Sequence, residues 1–427
     1  MKKCGITGLE NIISSSDYKK SKTQGLFGFL KEKIGKKKWL HIGDDPITDE
    51  ACVKKEKGRV CRLYSSFDLF ESVGYLGMRE YLDSLSARFK IGMFIACIFN
   101  NPFQFETIDK KIYVEDAGAA AYLFCAPIIT DFMFWFQKNI QTYHLKNIWF
   151  CARDGYFIQK LYHKLVPKET SIYFLTSRTA AIRAGVESEQ DIETIDKMKF
   201  SGSVEENLKE RFGILPKNNL DRQTEQDGLQ AYKAVILKSA KKARRNYKTY
   251  INKLHIQKGE IAFFDFVAKG TVQMYVQRLI NYHLKGFYFL RLESEQTEEK
   301  NLDIQAFYTK EKKEGTIIFD CYYILETLLT SPFPSVQQFN KKGKPIYAKE
   351  TRTEQQMRCL QKMQNGVWEY FKTYLALCPV TQRMEQKELD ETLLSFIHKF
   401  CITDEDFLHM VIEDPFFNRM TKVTEVL

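Results

Sequence analysis

Three short stretches near the N-terminus decide the predicted fold of this chain: IISSSD at 12–17, KTQGLF at 22–27 and HIGDDPITD at 41–49. Strands are predicted at 11–14 and 38–42, each followed by polar residues, and a segment with helical apolar spacing at 23–34 lies between them. Strands that alternate with helices and end in polar side chains are typical of a parallel sheet with a ligand site at its carboxyl edge. The sequence therefore predicts a Rossmann-like α/β unit here.

These stretches carry the groups that phosphate and Mg²⁺ need. A serine cluster ends the first run, Lys22 precedes the predicted helix, and Asp44, Asp45 and Asp49 surround the end of the third run. Mg²⁺ takes a few carboxylates together with water and phosphate oxygens, and phosphate takes hydroxyl and ammonium donors. The alternative is that the serines cap a helix and the aspartates lie on a solvated loop.

In this order and spacing, the three stretches resemble the second, third and fourth motifs of the haloacid dehalogenase (HAD) superfamily. The resemblance implies that Ser14 or Ser15 and Lys22 bind phosphate, and that Asp44 and Asp49 bind Mg²⁺. It also implies a Mg²⁺-dependent phosphohydrolase or phosphotransferase. We therefore expect a HAD-like domain in this part of the chain.

The first HAD motif carries the nucleophile, an aspartate that opens a DxD pair at the end of the first strand. Before Ser14 the chain has a single acidic residue, Glu10, and no DxD pair fits. Three explanations stay open: a complementing chain that carries the first motif, a different start of the protein, or a degenerate non-catalytic module. Whether the chain is an enzyme is left open by the same observation.

Strands are predicted further along the chain at 148–151, 171–175, 260–264 and 286–290. A second set of polar residues accompanies the first three: WFCARDG at 149–155, YFLTSR at 173–178 and FFDFVAKGT at 263–271. Arginine forks suit phosphate, so we interpret this set as a site for a phosphorylated sugar or nucleotide-sugar. The alternative is a turn after the first run and a structural ion pair between Arg178 and Asp265. The candidate residues are Arg153, Asp154, Ser177, Arg178, Asp265 and Lys269.

This second set, with its RDG, SR and D-x-x-x-x-GT-x-Q patterns, is similar to large bacterial HAD-like proteins encoded among surface-polysaccharide genes. The resemblance implies a sugar phosphate as substrate, in bacterial surface-polysaccharide biosynthesis. It does not settle the reaction of the second region. Two other functions stay open: a non-catalytic phosphate-binding scaffold, and a glycan-related transferase with its site in residues 148–345.

The fold class predicted for the whole chain is α/β, with a partial HAD domain, a helical layer, a second α/β HAD-like region and a helical C-terminus. The predicted segments are a truncated HAD-like domain at 1–75, a connecting helical layer at 76–145, a second α/β region at 146–314 with a helical insert at 186–254, and a mostly helical extension at 315–427.

Composition indicates which kinds of partner and which cellular compartment to expect. The net charge of +10 lies in short lysine runs, and no zinc-finger, RNP-like or helix-turn-helix pattern favours nucleic acid. Ten cysteines without a CxxC pair and the lack of a secretory signal predict a reducing cytoplasm. The apolar run at 117–136 is interrupted by Asp131, which predicts a buried helix and no transmembrane span, with peripheral membrane contact left open.

Overall fold

The chain forms two compact units in a computed structural model. The first unit comprises Met1–Leu82 and Ile91–Ile112, and the second comprises Asp83–Lys90 and Tyr113–Leu427. The segment 76–145, predicted as one helical layer, is thus divided between the units. The structure describes residues 8, 12–72, 76–101, 111–198, 200–215, 228–292, 301–309, 316–414 and 419–425.

The first unit combines short helices with a two-stranded parallel sheet, in which Leu40 of strand β1 lies opposite Arg59 of strand β2. The strand predicted at 11–14 is not formed at residues 12–14, where Ser14 instead caps a helix; Asn11 lies outside the described residues. The elements are α1 (Ser15–Tyr18), α2 (Leu26–Ile34), β1 (Leu40–Gly43), α3 (Cys52–Lys55), β2 (Arg59–Arg62) and α4 (Ser66–Ser72), with 3₁₀ turns at Lys22–Gln24 and Leu76–Tyr81 and a π-helix at Pro46–Ala51.

The second unit is built on a five-stranded parallel sheet with the order β5-β4-β6-β7-β8. The prediction of a mixed α/β chain with parallel strands is confirmed, although the last of these five strands was not predicted. By chain order the strands run 2-1-3-4-5, a doubly wound order whose direction switches between β4 and β6. The strands are β4 (Asn147–Cys151), β5 (Ile172–Phe174), β6 (Ile261–Ala268), β7 (Leu284–Arg291) and β8 (Ile304–Thr309).

Helices and three small strand pairs complete the second unit. β3 (Tyr113–Val114) pairs with β11 (Cys401–Ile402), β9 (Val336–Phe339) with β10 (Pro345–Tyr347), and β12 (Val411–Asp414) with β13 (Arg419–Lys422). The helices are α5 (Leu85–Ile98), whose residues belong to both units, α6 (Ala117–Ala120), α7 (Ala126–Thr142), α8 (Gly155–Leu165), α9 (Arg178–Gly185), α10 (Glu189–Asp196), α11 (Val204–Asn207), α12 (Lys233–Ile251), α13 (Thr271–Gln277), α14 (Ile317–Leu329), α15 (Glu354–Leu377), α16 (Lys387–Ser395) and α17 (Glu405–Leu408). Short 3₁₀ and π segments are Ala121–Cys125, Leu208–Phe212, Gly228–Tyr232, Val380–Gln382, Phe396–His398 and Val423–Glu425.

Both faces of the five-stranded sheet are covered by helices. On one face, Phe132 of α7 packs against Phe264 of β6 with ring centroids 5.6 Å apart. On the other, Tyr247 of α12 stacks on Phe174 of β5 at 6.1 Å. Parallel strands that are buried on both faces are apolar throughout, which explains why the runs here do not alternate with polar residues. The polar residues therefore collect at the strand ends.

The long apolar helix is part of this core. Ala117–Thr142 is long and apolar enough to cross a membrane, but 78% of its most apolar window is buried within the protein. Asp131 in its middle is fully buried and pairs with Lys90 of α5 at 2.7 Å. This burial is typical of a core helix, and the described residues include no other helix of that length and apolarity.

A buried charge triad ties this helix to its neighbours. Lys90 also pairs with Asp390 of α16 at 2.6 Å, and all three side chains are 0% exposed. Burial and the neighbouring Asp131 carboxylate raise the pKa of Asp390 well above its usual range. This shift favours the protonated form of Asp390, in which one ammonium faces one carboxylate and the triad is neutral.

Replacing Lys90 by Met is expected to lower the free energy of unfolding by about 3–5 kcal/mol, because a buried carboxylate loses its cation. Urea denaturation followed by circular dichroism measures the change. The matched control is Lys197→Met, which breaks the exposed pair with Glu193 and should leave the midpoint nearly unchanged. Equal losses in the two variants would contradict the role of the triad.

Candidate functional site

The predicted site of the first unit is organised around one carboxylate. Asp49 is 3% exposed, and its Oδ1 accepts hydrogen bonds from Lys22 Nζ and, at 2.8 Å, from His41 Nε2. Its Oδ2 accepts from the backbone N–H of Asp45 at 3.3 Å. Burial alone would raise the pKa of Asp49, but the bonds from Lys22 and His41 outweigh it and hold the pKa at about 2.

The other residues predicted for this site have different surroundings. Ser14 accepts from the backbone N–H of Ser16 at 3.1 Å as the N-cap of α1, while Ser15 and Asp44 are exposed. The structure thus brings Lys22 and Asp49 together, and Ser14 serves a helix. The phosphate roles of Ser14, Ser15 and Lys22 stay predictions.

The surroundings of Asp49 do not fit the Mg²⁺ ion predicted for Asp44 and Asp49. Oδ1 already accepts two hydrogen bonds, and the Lys22 ammonium lies where it would repel a divalent cation. Mg²⁺ prefers carboxylate oxygens that are free to coordinate it. The donor set as arranged fits a lysine, so we assign no chemistry to a metal at this carboxylate.

Replacing Lys22 by Met should raise the pKa of Asp49 from about 2 towards 3.8, because the carboxylate loses its strongest donor. Titration of the side-chain carboxyl by NMR measures the shift. Lys20→Met, an exposed lysine two residues away, is the matched control and should leave the pKa in place. A pKa that stays at about 2 in the Lys22 variant would show that the ion pair does not govern this carboxyl.

A cavity of about 250 Å³ lies at the carboxyl edge of the five-stranded sheet in the second unit. Of the six candidate residues in the second region, five line it together, and Lys269 does not. The alignment of strand ends explains this meeting, since parallel strands bring their carboxyl ends to the same edge. The five residues are Arg153, Asp154, Ser177, Arg178 and Asp265.

Two carboxylates meet at the point where the strand order switches. Asp154 follows β4 and precedes α8, and its side chain makes no capping bond to that helix. Asp265 lies in β6, one residue beyond the pair formed by Phe150 and Phe264. A Cβ on Gly155 would lie 2.7 Å from the backbone carbon of Phe150, so glycine is needed for α8 to begin this close to the strand. This packing brings Asp154 to the edge where Asp265 lies.

The two carboxylates influence each other electrostatically. Burial and the negative charge of Asp154 together raise the pKa of Asp265 to about 7, against the opposing effects of the Phe266 backbone N–H and of Arg178. Two close carboxyl groups do not both ionise readily at neutral pH. Near pH 7 the Asp265 carboxyl therefore exchanges a proton beside a second carboxyl group, which is suited to acid–base chemistry.

Three arginines share the cavity with this pair, together with Glu210 and Glu326. Arg153, Arg178 and Arg352 all line the cavity. Arg352 is held in place by Glu350 at 2.7 Å and by the carbonyl of Ser331 at 2.8 Å. Its hydrogen bonds hold the pKa of Glu350 at about 2, so that this ion pair persists at neutral pH.

Ser177 has a structural task at the cavity wall. Its hydroxyl accepts from the backbone N–H of Ala180 at 2.9 Å as the N-cap of α9 and donates to the carbonyl of Val336. It therefore connects α9 to the β9–β10 hairpin. Its predicted role in ligand binding stays a prediction.

Several cavity residues come from segments that the site prediction left out. They have no common motif and reach the cavity only through folding, from the helical insert and from the C-terminal region. A partial signal existed in the sequence, since most of these residues fall within 148–345, the region given for the alternative transferase site. Among the added polar residues are Glu210, Tyr323, Glu326, Gln337 and Arg352.

Two comparisons with known proteins found no match for this chain. No protein-family model matches the chain, and no curated protein matches it. The resemblance to the HAD superfamily therefore rests on the quoted motifs, and the functional inference rests on the cavity.

Replacing Asp154 by Asn should lower the pKa of Asp265 from about 7, yet leave it above 3.8 because Asp265 stays buried. Arg178→Gln should raise the pKa instead, and NMR titration distinguishes the two directions. Because the folded-state pKa is raised, stability is lost as pH rises from 3.8 to about 7, and Asp265→Asn should remove this loss. Identical titrations in both variants would contradict the proximity of these groups.

Proposed function

We propose that the second unit is a HAD-like enzyme module that hydrolyses or transfers the phosphoryl group of a phosphorylated sugar. The observation that carries this proposal is the meeting of Asp154 and Asp265 with Arg153 and Arg178 in one cavity at the switch point of the sheet. Such switch points are where doubly wound sheets bind ligands.

The positive groups of the cavity would bind the phosphate. Arg153 and Arg178 carry planar guanidinium groups that suit phosphate oxygens. The helices α8 and α9 begin at this edge, at Gly155 and Arg178, and helix N-termini favour anions. The acidic and amide side chains of the wall, such as Glu326, could accept hydrogen bonds from sugar hydroxyls.

Asp154 is the proposed nucleophile. In HAD-like enzymes the nucleophilic aspartate ends the first strand of the sheet, and Asp154 follows β4, the first strand of this sheet. A carboxylate oxygen of Asp154 would attack phosphorus as the bond to the sugar oxygen breaks, which forms an aspartyl phosphate. Water would then attack this phosphorus, release phosphate and restore the carboxylate; an acceptor hydroxyl in its place would give transfer.

Asp265 is the proposed proton carrier for both steps. The family's second aspartate is replaced here by Tyr156, which departs from the DxD pattern. Asp265, with its pKa of about 7, would give a proton to the departing sugar oxygen and take one from the attacking water. Asp265 thus returns to its starting protonation state after each turnover, because it regains from water the proton that it gave to the sugar oxygen.

Mg²⁺, implied by the resemblance, stays a prediction. In the first unit, Asp49 is already paired with Lys22. In the cavity, Asp265 has a raised pKa and lies near Arg178. The arginines already offer positive charge to phosphate oxygens, so no step above is assigned to the ion. Assays in MgCl₂ and in EDTA measure the requirement directly.

For the first unit we propose a non-catalytic role. Its central carboxylate, Asp49, is neutralised by Lys22 and His41 and is not left available for attack. A complementing chain with the first HAD motif would overturn this part, and co-purification of such a chain would reveal it. The proposed setting in bacterial surface-polysaccharide synthesis rests on the resemblance, and the proposed cytoplasmic location rests on the scattered cysteines.

The activity test uses the purified full chain, a panel of sugar phosphates and nucleotide-sugars, and detection of released phosphate. Asp154→Asn should abolish turnover, and Asp265→Asn should lower kcat by about 10²–10⁴-fold, the usual contribution of a general acid. Arg178→Lys should raise KM, since a lysine cannot bind phosphate bidentately. The pH profile of kcat/KM should show a limb near 7 that is lost in the Asp265 variant.

The matched control is Asp83→Asn, an exposed carboxylate of the second unit, which should keep full turnover. Full turnover in the Asp154 and Asp265 variants would place the reaction elsewhere. Phosphate binding by calorimetry without turnover of any substrate would favour the scaffold function instead.

A further inference from the structure

One surface of the second unit is strongly basic. Residues 228–259 contain nine Lys or Arg and no Asp or Glu. On α12, Lys238, Lys241, Arg245 and Lys248 are all exposed and follow each other at spacings of three and four residues. Such spacing places side chains on one stripe of a helix, here about 15 Å long at 1.5 Å per residue.

This stripe is unfavourable for the isolated helix. Like charges three or four residues apart on a helix repel each other and destabilise it. No ion pair joins any of the four cations to a carboxylate in the described part of the chain. Tertiary packing holds the helix in place, since Tyr247 and Tyr250 lie in the core beneath it. The stripe therefore presents uncompensated positive charge to the solvent.

The turn of the β9–β10 hairpin extends the same surface. A Cβ on Gly343 would lie 2.7 Å from the backbone nitrogen of Tyr250, so the turn sits directly on α12. Asn246 donates to the carbonyl of Phe339 at 2.8 Å, which fixes the hairpin against the helix. The turn adds three exposed cations, Lys341, Lys342 and Lys344. We call these three and the four cations of the stripe the basic surface.

Apolar side chains accompany the lysines of the turn. Ile346 and Tyr347 of β10 are 39% and 43% exposed, directly after Lys344 and Pro345. Large side chains with this exposure beside lysines suit the boundary between lipid headgroups and acyl chains, where an apolar body can be buried while the charges stay in water.

We propose that the basic surface binds the anionic surface of a lipid bilayer. Its charge complements acidic headgroups, and Ile346 offers an aliphatic side chain that a nucleic acid would have no means to stack on. The apolar helix at Ala117–Thr142 is not part of this contact, because most of it is buried within the protein. The partner is thus a membrane surface and not a spanning environment.

This contact would place the cavity close to the membrane. Val336 and Gln337 of β9 line the cavity, and Lys341 follows four residues after Gln337 in the same hairpin. Four extended residues span about 13 Å. A phosphorylated substrate at the membrane surface would then be within reach of the cavity.

The test is sedimentation of the full chain with phosphatidylcholine vesicles, with and without phosphatidylglycerol. We expect binding to the anionic vesicles that weakens as salt is added, because screening reduces the attraction. Each basic residue near the surface contributes roughly fivefold, so Lys241→Gln, Arg245→Gln and Lys248→Gln combined should weaken partitioning about a hundredfold. The same loss is expected for glutamine at Lys341, Lys342 and Lys344.

The matched control is glutamine at Lys36, Lys37 and Lys38, an exposed run of the first unit that removes the same charge and should leave binding unchanged. Equal binding to neutral and anionic vesicles, or equal binding by control and test variants, would overturn the proposal. So would tighter binding to an RNA or DNA duplex than to the vesicles. Turnover of a soluble sugar phosphate is measured in parallel, which separates failure of this proposal from failure of the proposed enzyme function.

Discussion

The pairing of β4 with β6 is the contact on which the second unit depends. It joins segments that lie more than a hundred residues apart in sequence, with Asn147 opposite Ile261. The Asn147 side chain fixes this register, since its Nδ2 donates to the carbonyl of Gln257 at 2.9 Å and its Oδ1 accepts from the N–H of Gln257 at 2.9 Å. A shift of one residue would send each side chain to the opposite face of the sheet. This register places Asp265 in the cavity, close to Asp154.

Two aspartates in this protein show how the surrounding groups set the pKa of a buried carboxyl. Asp49 lies in the π-helix that follows β1, and Asp265 lies within β6, yet burial raises the pKa of both and the resulting values are about 2 and about 7. At Asp49 the hydrogen bonds from Lys22 and His41 outweigh the effect of burial, whereas at Asp265 burial dominates and the carboxylate of Asp154 adds to it. A carboxyl group that is neutralised by a lysine stabilises a fold. One that is left beside a like charge holds an exchangeable proton.

The aromatic core and the polar cavity occupy different parts of the five-stranded sheet, the core on its two faces and the cavity at its carboxyl edge. Helices cover both sheet faces with aromatic rings, and this packing excludes water from the strands. Polar and charged groups are then tolerated where they are satisfied, as in the neutral triad around Lys90, or where they reach the sheet edge.

The local pattern of the sequence was sufficient for the parallel α/β class, for four of the five strands of the large sheet, and for five of the residues that meet in its cavity. These follow from short-range rules, since apolar runs form buried strands and parallel strands end at a common edge. It was not sufficient for the contribution of Glu210 or Arg352 to the cavity, for the capture of Asp49 by Lys22, or for the pairing of Asp131 with Lys90. Each of these depends on contacts between segments far apart in the chain, whose geometry no local pattern encodes. The sequence by itself determined which residues end the strands, and only the tertiary structure decided which charges face one another.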